Sequence, residues 1–157
     1  AALRRWSPGR NGAAQTMNEL IHEVYPVEKG AFETAGEVSG TIKRMLRKLG
    51  VPSQVIRRVS VASYEVELNL VIHSLGGQME ITIEPDSVTL DVSDRGPGIP
   101  DLDLAMQEGW STASDEVRTL GFGAGMGLPN MKRNADEFDI QSTVGVGTNI
   151  HMKFFCV

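Results

Sequence analysis

The run QMEITIEPDSVTLDVSD, residues 78–94, alternates apolar and polar side chains on both sides of Pro85, Asp86 and Ser87. Alternation with period two sorts side chains onto the two faces of a strand, and Pro-Asp-Ser is turn chemistry, so the stretch reads as a β-hairpin with one apolar face. Such a face has to be covered, and two upstream segments can cover it. AFETAGEVSGTIKRMLRKLG, residues 31–50, carries Phe32, Ala35, Val38, Ile42, Leu46 and Leu49 at helical spacing and stops at Gly50. Pro52 and Ser53 open a second helix over residues 54–74, ended by Gly76 and Gly77. Ahead of both, NELIHEVYPV alternates as a strand until Lys29 and Gly30 break it. Downstream, residues 101–108 form one short helix, and residues 109–125 are a Gly, Ser and Thr-rich stretch of the length used for lids. Residues 126–135 form a third helix, and EFDIQST and TNIHMKFF close a second hairpin around VGVG. The order β-α-α-β-β-lid-α-β-β predicts an α+β fold: a two-layer α/β sandwich whose mixed, mostly antiparallel sheet carries its helices on one face.

At 157 residues, the chain can bury one ordinary core. A formal net charge of -5 supplies no basic field for nucleic acid or an anionic membrane surface, so neither is an expected partner. No apolar run has the length of a membrane span, and the single cysteine, Cys156, excludes an internal disulfide. A reduced, cytoplasmic setting is expected. The first sixteen residues, AALRRWSPGRNGAAQT, lack periodicity, and Pro8, Gly9 and Gly12 oppose the amphipathic helix of a transit peptide. They are expected to be a disordered leader or expression remnant, with the domain occupying residues 17–157.

Four stretches have the composition of chemistry. On the second helix, Glu67 shares an arc with Ser60 and Ser74, whereas Glu65 lies roughly 160° away among Val61, Leu68 and Ile72. A carboxylate on an apolar side needs a partner or a cation. Asn69 follows one turn later and His73 one more, so Glu65 and Asn69 place an acid beside a neutral amide oxygen. Hard oxygen donors of this kind suit Mg²⁺, and the acid could also align a hydroxyl; a solvated helix face is the alternative. Next, S-D-R-G-P-G-I-P after the hairpin sets Asp94 ahead of Gly96 and Gly98. Either Asp94 caps a turn, or the glycines admit a flat ligand whose exocyclic amine the carboxylate accepts. Third, Gly121, Gly123, Gly125 and Gly127 alternate directly before a helix, which offers either an anion site or a hinge. Lys132 and Arg133, further into that helix, either reach a phosphate or are solvated. Fourth, Thr148 after G-V-G could set a hydroxyl beside Asp94 if their strands are neighbours.

In this order, E-x-x-x-N on a helix, D-x-G-x-G after a strand, alternating glycines before a helix and G-x-G-T, the motifs resemble the GHKL ATPase superfamily, the Bergerat fold of gyrase, histidine kinases and MutL. The resemblance spans residues 17–155. The texture GPGIPD, then Q-E-G-W-S-T, then G-A-G-M-G-L-P-N-M-K-R-N-A-D-E-F is most similar to the small anti-sigma-factor and switch-protein serine kinases of bacterial partner-switching modules. That resemblance implies a Mg²⁺-dependent protein serine/threonine kinase that binds ATP and ADP and phosphorylates a STAS-type antagonist. An anti-sigma factor that sequesters its partner with little turnover is the alternative. It further implies that Glu65 orients the attacking serine hydroxyl, that Asn69 binds Mg²⁺, and that Asp94 takes the adenine amine. Gly96, Gly98 and Ile99 would line the purine, Thr148 would support Asp94 through its hydroxyl or a water, and Gly123, Gly125, Met126, Gly127 and Leu128 would cradle the phosphates. No unambiguous basic residue stands out for the γ-phosphate, and Arg118 or Lys132 could supply it. A sigma factor or phosphatase activator is an implied further partner, and the resemblance leaves room for a homodimer.

Overall fold

The computed structural model describes residues 21–107 and 126–156. The expectation for residues 1–16, and those resting on Arg118, Gly121, Gly123 and Gly125, lie outside the described residues.

Five strands form one sheet: β1 (Ile21–Val27), β2 (Gly77–Glu84), β3 (Ser87–Asp94), β4 (Glu137–Thr143) and β5 (Gly147–Phe155), in the spatial order β1-β2-β3-β5-β4. Among the described residues every neighbouring pair is antiparallel, in keeping with the mostly antiparallel sheet expected. The helix over Gly127–Asn134 delivers the chain to β4 at the far edge, and β5 returns between β4 and β3, antiparallel to both. The residues between β2 and β3 are Pro85 and Asp86, as the turn chemistry required.

The alternation read from the hairpin sorts the faces. Met79, Ile81, Val88, Leu90, Met152 and Phe154 are buried on one side. On the other, Glu80, Asp91, His151 and Asp139 lie in one cross-strand row, where His22 pairs with Glu80 and His151 Nδ1 with Asp91 Oδ1 at 2.6 Å. The helices cover the apolar side: α1 (Glu37–Lys48), α2 (Ser53–His73), the short α3 (Leu102–Ala105) and α4 (Gly127–Asn134). In α2, Val55, Val59, Ala62, Val66 and Leu70 form the i, i+3, i+4 stripe of a helix laid on a sheet. No helix among the described residues is long and apolar enough to cross a membrane.

Two helix readings change. The segment from Ala31 is not one helix: a 3₁₀ turn over Phe32–Thr34 comes first, Gly36 turns the chain at φ 98°, and α1 begins at Glu37. What starts α1 is Glu67 of α2, whose Oε2 accepts the N–H groups of Gly36 at 3.0 Å and Val38 at 3.2 Å, while Oε1 accepts that of Ser39 at 2.9 Å. An acid from another helix thus does the work of an N-cap. The second change follows. The inward carboxylate of α2 is Glu67, 2% exposed, whereas Glu65 is half-buried beside the exposed Val61. The arc with Ser60, Ser63 and Ser74 can face inward because each hydroxyl bonds a carbonyl of its own helix: Ile56 at 2.6 Å, Ser60 at 3.2 Å and Leu70 at 2.5 Å.

Glu67→Ala strands three N–H groups at this junction and should lower the unfolding free energy by about 2–4 kcal/mol, with Glu67→Gln costing less. Urea unfolding measures it, and an unchanged midpoint in Glu67→Ala would show that the tie is idle.

Candidate functional site

Two clusters lie along α2, one at its middle and one at its C-terminal end. Asn69 and Ser74 are five residues apart, about 7.5 Å along the axis, and Glu65 is four residues further back.

At the C-terminal end, Asp94 is the last residue of β3, paired with Gly77 of β2. A Cβ on Gly77 would stand 2.3 Å from the Ser93 carbonyl oxygen and 2.9 Å from Asp94 Cα. On the other flank, a Cβ on Gly147 would stand 2.1 Å from the Asp94 carbonyl oxygen. Only glycines allow the strands to close on Asp94 from both sides. Its carboxylate Oδ1 then accepts the backbone N–H of Thr148 at 3.0 Å. The support therefore comes from Thr148's main chain, not from its hydroxyl, which is engaged with Ser142 Oγ at 2.9 Å. Among the described residues nothing bonds Asp94 Oδ2, which leaves one carboxylate oxygen for a donor from outside. Burial raises the Asp94 pKa above its usual range, and the Thr148 N–H offsets part of that rise.

The loop after Asp94 is a brace. Leu75 N–H donates to the Arg95 carbonyl at 2.7 Å and Arg95 N–H to the Gly76 carbonyl at 3.0 Å, joining the end of α2 to the end of β3. Gly96 N–H donates to the Val146 carbonyl at 3.1 Å, and Gly145 N–H to the Pro97 carbonyl at 2.9 Å, joining the same loop to the β4–β5 turn. Ile99 N–H reaches Ser142 Oγ at 2.7 Å, and its half-buried side chain packs on the core. Gly98, at φ 74°, would drive a Cβ to 2.6 Å from the Thr143 carbonyl oxygen. The β4–β5 hairpin by itself demands glycine there. Arg95 is exposed.

At the middle of α2, Glu65 and Asn69 face the start of α4. A Cβ on Gly127 would lie 3.3 Å from Asn69 Oδ1 and 3.5 Å from Glu65 Oε2, so the two helices meet at a residue without a side chain. Pro129 stands in the first turn of α4, where its missing N–H is not needed. Met126 precedes Gly127, and the Leu128 side chain is core, leaving only its main chain to face the cluster. Lys132 is exposed in the last turn, away from this end of the helix, which weakens it as the cation at a γ-phosphate. His73 is substantially buried, and burial lowers its pKa, favouring neutral imidazole.

Asn130 is the residue that motif reading missed. Its Nδ2 donates to Glu65 Oε1 at 3.1 Å. It sits outside the glycine run as an ordinary polar position on a short helix, and no spacing rule marks it.

Among the described residues no group of three or more His, Cys, Asp and Glu side chains could hold a metal. One carboxylate and one amide oxygen at the mouth of a helix N-terminus nevertheless fit Mg²⁺, which takes few protein ligands and keeps waters and phosphate oxygens. Together the clusters can accept an amine at one end of α2 and face an anion and a hydroxyl at its middle.

The sequence profile of the family described as "Histidine kinase-, DNA gyrase B-, and HSP90-like ATPase" matches residues 55–156, which include most of α2, the Asp94 loop, α4 and β5. The serine/threonine-protein kinase RsbT of Bacillus subtilis (strain 168) is 32% identical over 69% of this chain and 78% of its own. The anti-sigma F factor of Thermoanaerobacter sp. (strain X514) is 33% identical over 62% of this chain and 68% of its own, and that of Bacillus licheniformis 29% over 71% and 77%. With the five-stranded antiparallel sheet under α2 and the two clusters strung along that helix, these likenesses make the chain a member of the histidine kinase, gyrase B and HSP90-like ATPase family.

Proposed function

We propose that the chain is a Mg·ATP-dependent protein serine/threonine kinase whose acceptor is a serine of a small STAS-type antagonist, acting in the cytoplasm in a partner-switching pair. The observation that carries this reading is the placement of an acid and a metal-compatible amide, Glu65 and Asn69, at the middle of α2 and of the half-free Asp94 carboxylate, at the end of β3, beside the C-terminal end of the same helix. The separation suits an extended nucleoside triphosphate, with the purine at Asp94 and the phosphates at α4. A relative named a serine/threonine-protein kinase supports it.

Asp94 Oδ2 would accept the adenine amine, while the Thr148 N–H keeps Oδ1 in place. Asn69 would hold Mg²⁺, which when bound neutralises phosphate charge. Glu65 would take the proton of the serine hydroxyl as its oxygen meets the γ-phosphorus. Phosphoryl transfer needs little more than such positioning and charge placement. The relatives named anti-sigma F factor favour a second reading, a nucleotide-gated module that captures a sigma factor or phosphatase activator. The two readings divide on Glu65, which only the kinase needs.

Incubation of the full chain with γ-labelled ATP, Mg²⁺ and the STAS proteins of its own genome should label one serine. Glu65→Ala should slow that transfer about a hundredfold or more with ATP affinity nearly unchanged. ATP binding with no transfer to any of these proteins would reject the kinase, and a stable sigma-factor complex indifferent to Glu65→Ala would favour the binding module.

Asp94→Asn should weaken ATP binding roughly 10- to 100-fold by calorimetry, because an amide presents a second donor to the adenine amine or gives up the Thr148 bond. Since burial raises the Asp94 pKa, the folded chain takes up a proton more readily than the unfolded one. The contribution of Asp94 to stability therefore grows as pH falls through its raised folded pKa and is lost as pH rises back through it. ATP affinity should move the opposite way, falling on acidification in wild type and not in Asp94→Asn. An unchanged ATP affinity in the variant would remove Asp94 from the purine site.

A further inference from the structure

We propose that Asn130 is a positioning residue for Glu65 and that Arg133 sets the way Asn130 points; this deepens, and rests on, the reading of Glu65 as the group that takes the acceptor's proton. Asn130 Nδ2 donates to Glu65 Oε1 at 3.1 Å, and Arg133 Nη1 donates to Asn130 Oδ1 at 3.2 Å. An amide has one donating end and one accepting end, and a guanidinium can only donate. With Arg133 on the carbonyl end, the NH₂ end is directed at the carboxylate, and the flipped amide would set a donor against a donor and a carbonyl against an acid.

The backbone beneath this chain of contacts is fixed. Asn130 N–H donates to the Met126 carbonyl at 2.9 Å, and Asn134 Nδ2 to the Asn130 carbonyl at 2.8 Å. Beyond Asn134, Arg58 of α2 donates to the Asn134 carbonyl at 3.3 Å and to Asp136 Oδ2 at 2.9 Å, pinning the C-terminal end of α4 to the helix that carries Glu65. Asn130 thus reaches Glu65 from a helix whose C-terminal end is tied to α2.

Two consequences bear on the chemistry. The bond occupies Oε1, and among the described residues nothing bonds Oε2, the oxygen that faces Gly127. Oε2 is the one open to an acceptor hydroxyl. As that O–H proton passes to Oε2, the hydroxyl oxygen bonds the γ-phosphorus, and the bond from phosphorus to the bridging oxygen of ADP breaks, ADP keeping the electron pair. The amide also spaces the Arg133 cation from the acid. A guanidinium directly on the carboxylate would pair with its charge, whereas a neutral amide fixes it by one hydrogen bond and leaves the second oxygen open.

The test uses the full chain with Mg·ATP and water as acceptor, following ADP formation in wild type, Asn130→Ala, Glu65→Ala and the double variant, with Arg133→Leu alongside. Asn130→Ala should lower kcat about tenfold and leave the KM for ATP within about twofold. In the Glu65→Ala background it should have no further effect, and Arg133→Leu should lower kcat about threefold. The ¹³Cδ resonance of Glu65 should shift in both Asn130→Ala and Arg133→Leu. Equal loss from Asn130→Ala in both backgrounds, or no loss while Glu65→Ala is impaired, would overturn the inference. Full ADP formation in Glu65→Ala would overturn instead the reading of Glu65 on which it rests.

Discussion

Asp94 is held between two strands that have no side chains where it needs room. Gly77 on one side and Gly147 on the other let the backbones close to distances that a Cβ would forbid, 2.3 Å and 2.1 Å to neighbouring carbonyl oxygens. The close approach brings the Thr148 N–H onto one carboxylate oxygen and leaves the other unbonded among the described residues. The loop after Asp94 ties the end of α2 to β3 and the β4–β5 turn. One constraint therefore sets both the sheet register at this end and the position of α2 above it.

From that anchored end, the geometry of a straight helix does the rest. Asn69 and Glu65 are carried back along α2 in steps of about 6 Å per four residues, to the place where α4 begins. Gly127 lets α4 start against them, and Arg58 holds the other end of α4 to α2. Glu67, two residues from Glu65, faces the opposite way and is spent on starting α1. Two carboxylates on one helix thus have separate surroundings: one is sealed by three N–H donors, and the other is half-buried at the junction with α4. Hydrogen bonding to a buried acid secures the fold, and an unfilled acceptor at a helix junction offers chemistry.

Much of this was legible in the sequence because it rests on periodicity and glycine placement. The strands, the helix over Ser53–His73 and both hairpins follow from spacing, which also singles out Glu65, Asn69 and Asp94 but leaves a solvated helix face and a capped turn open for them until the order of the motifs is considered. What escaped depends on contacts between distant segments. A helical wheel cannot see that Ser60, Ser63 and Ser74 satisfy their own hydroxyls, so it set Glu65 inward and Glu67 outward, the reverse of the packing. The start of α1 was misplaced because its cap comes from 28 to 31 residues away. Gly77 reads as a helix-end glycine and Gly98 as a ligand glycine, and only the neighbouring strands show how closely other backbone approaches both. Thr148 contributes its main chain where its side chain was expected, and Asn130 carries no motif at all.

The central claim is that the Asp94 cluster and the Glu65–Asn69 cluster serve one nucleotide. Titration of the ¹⁵N-labelled full chain with ATP, followed by NMR, tests it directly. The Thr148 backbone amide and the side-chain amides of Asn69 and Asn130 should shift together along one binding curve, and added Mg²⁺ should move the two asparagine signals further while leaving Thr148 nearly unchanged. Shifts confined to one cluster, or to the opposite face of the sheet around Asp91 and His151, would contradict it.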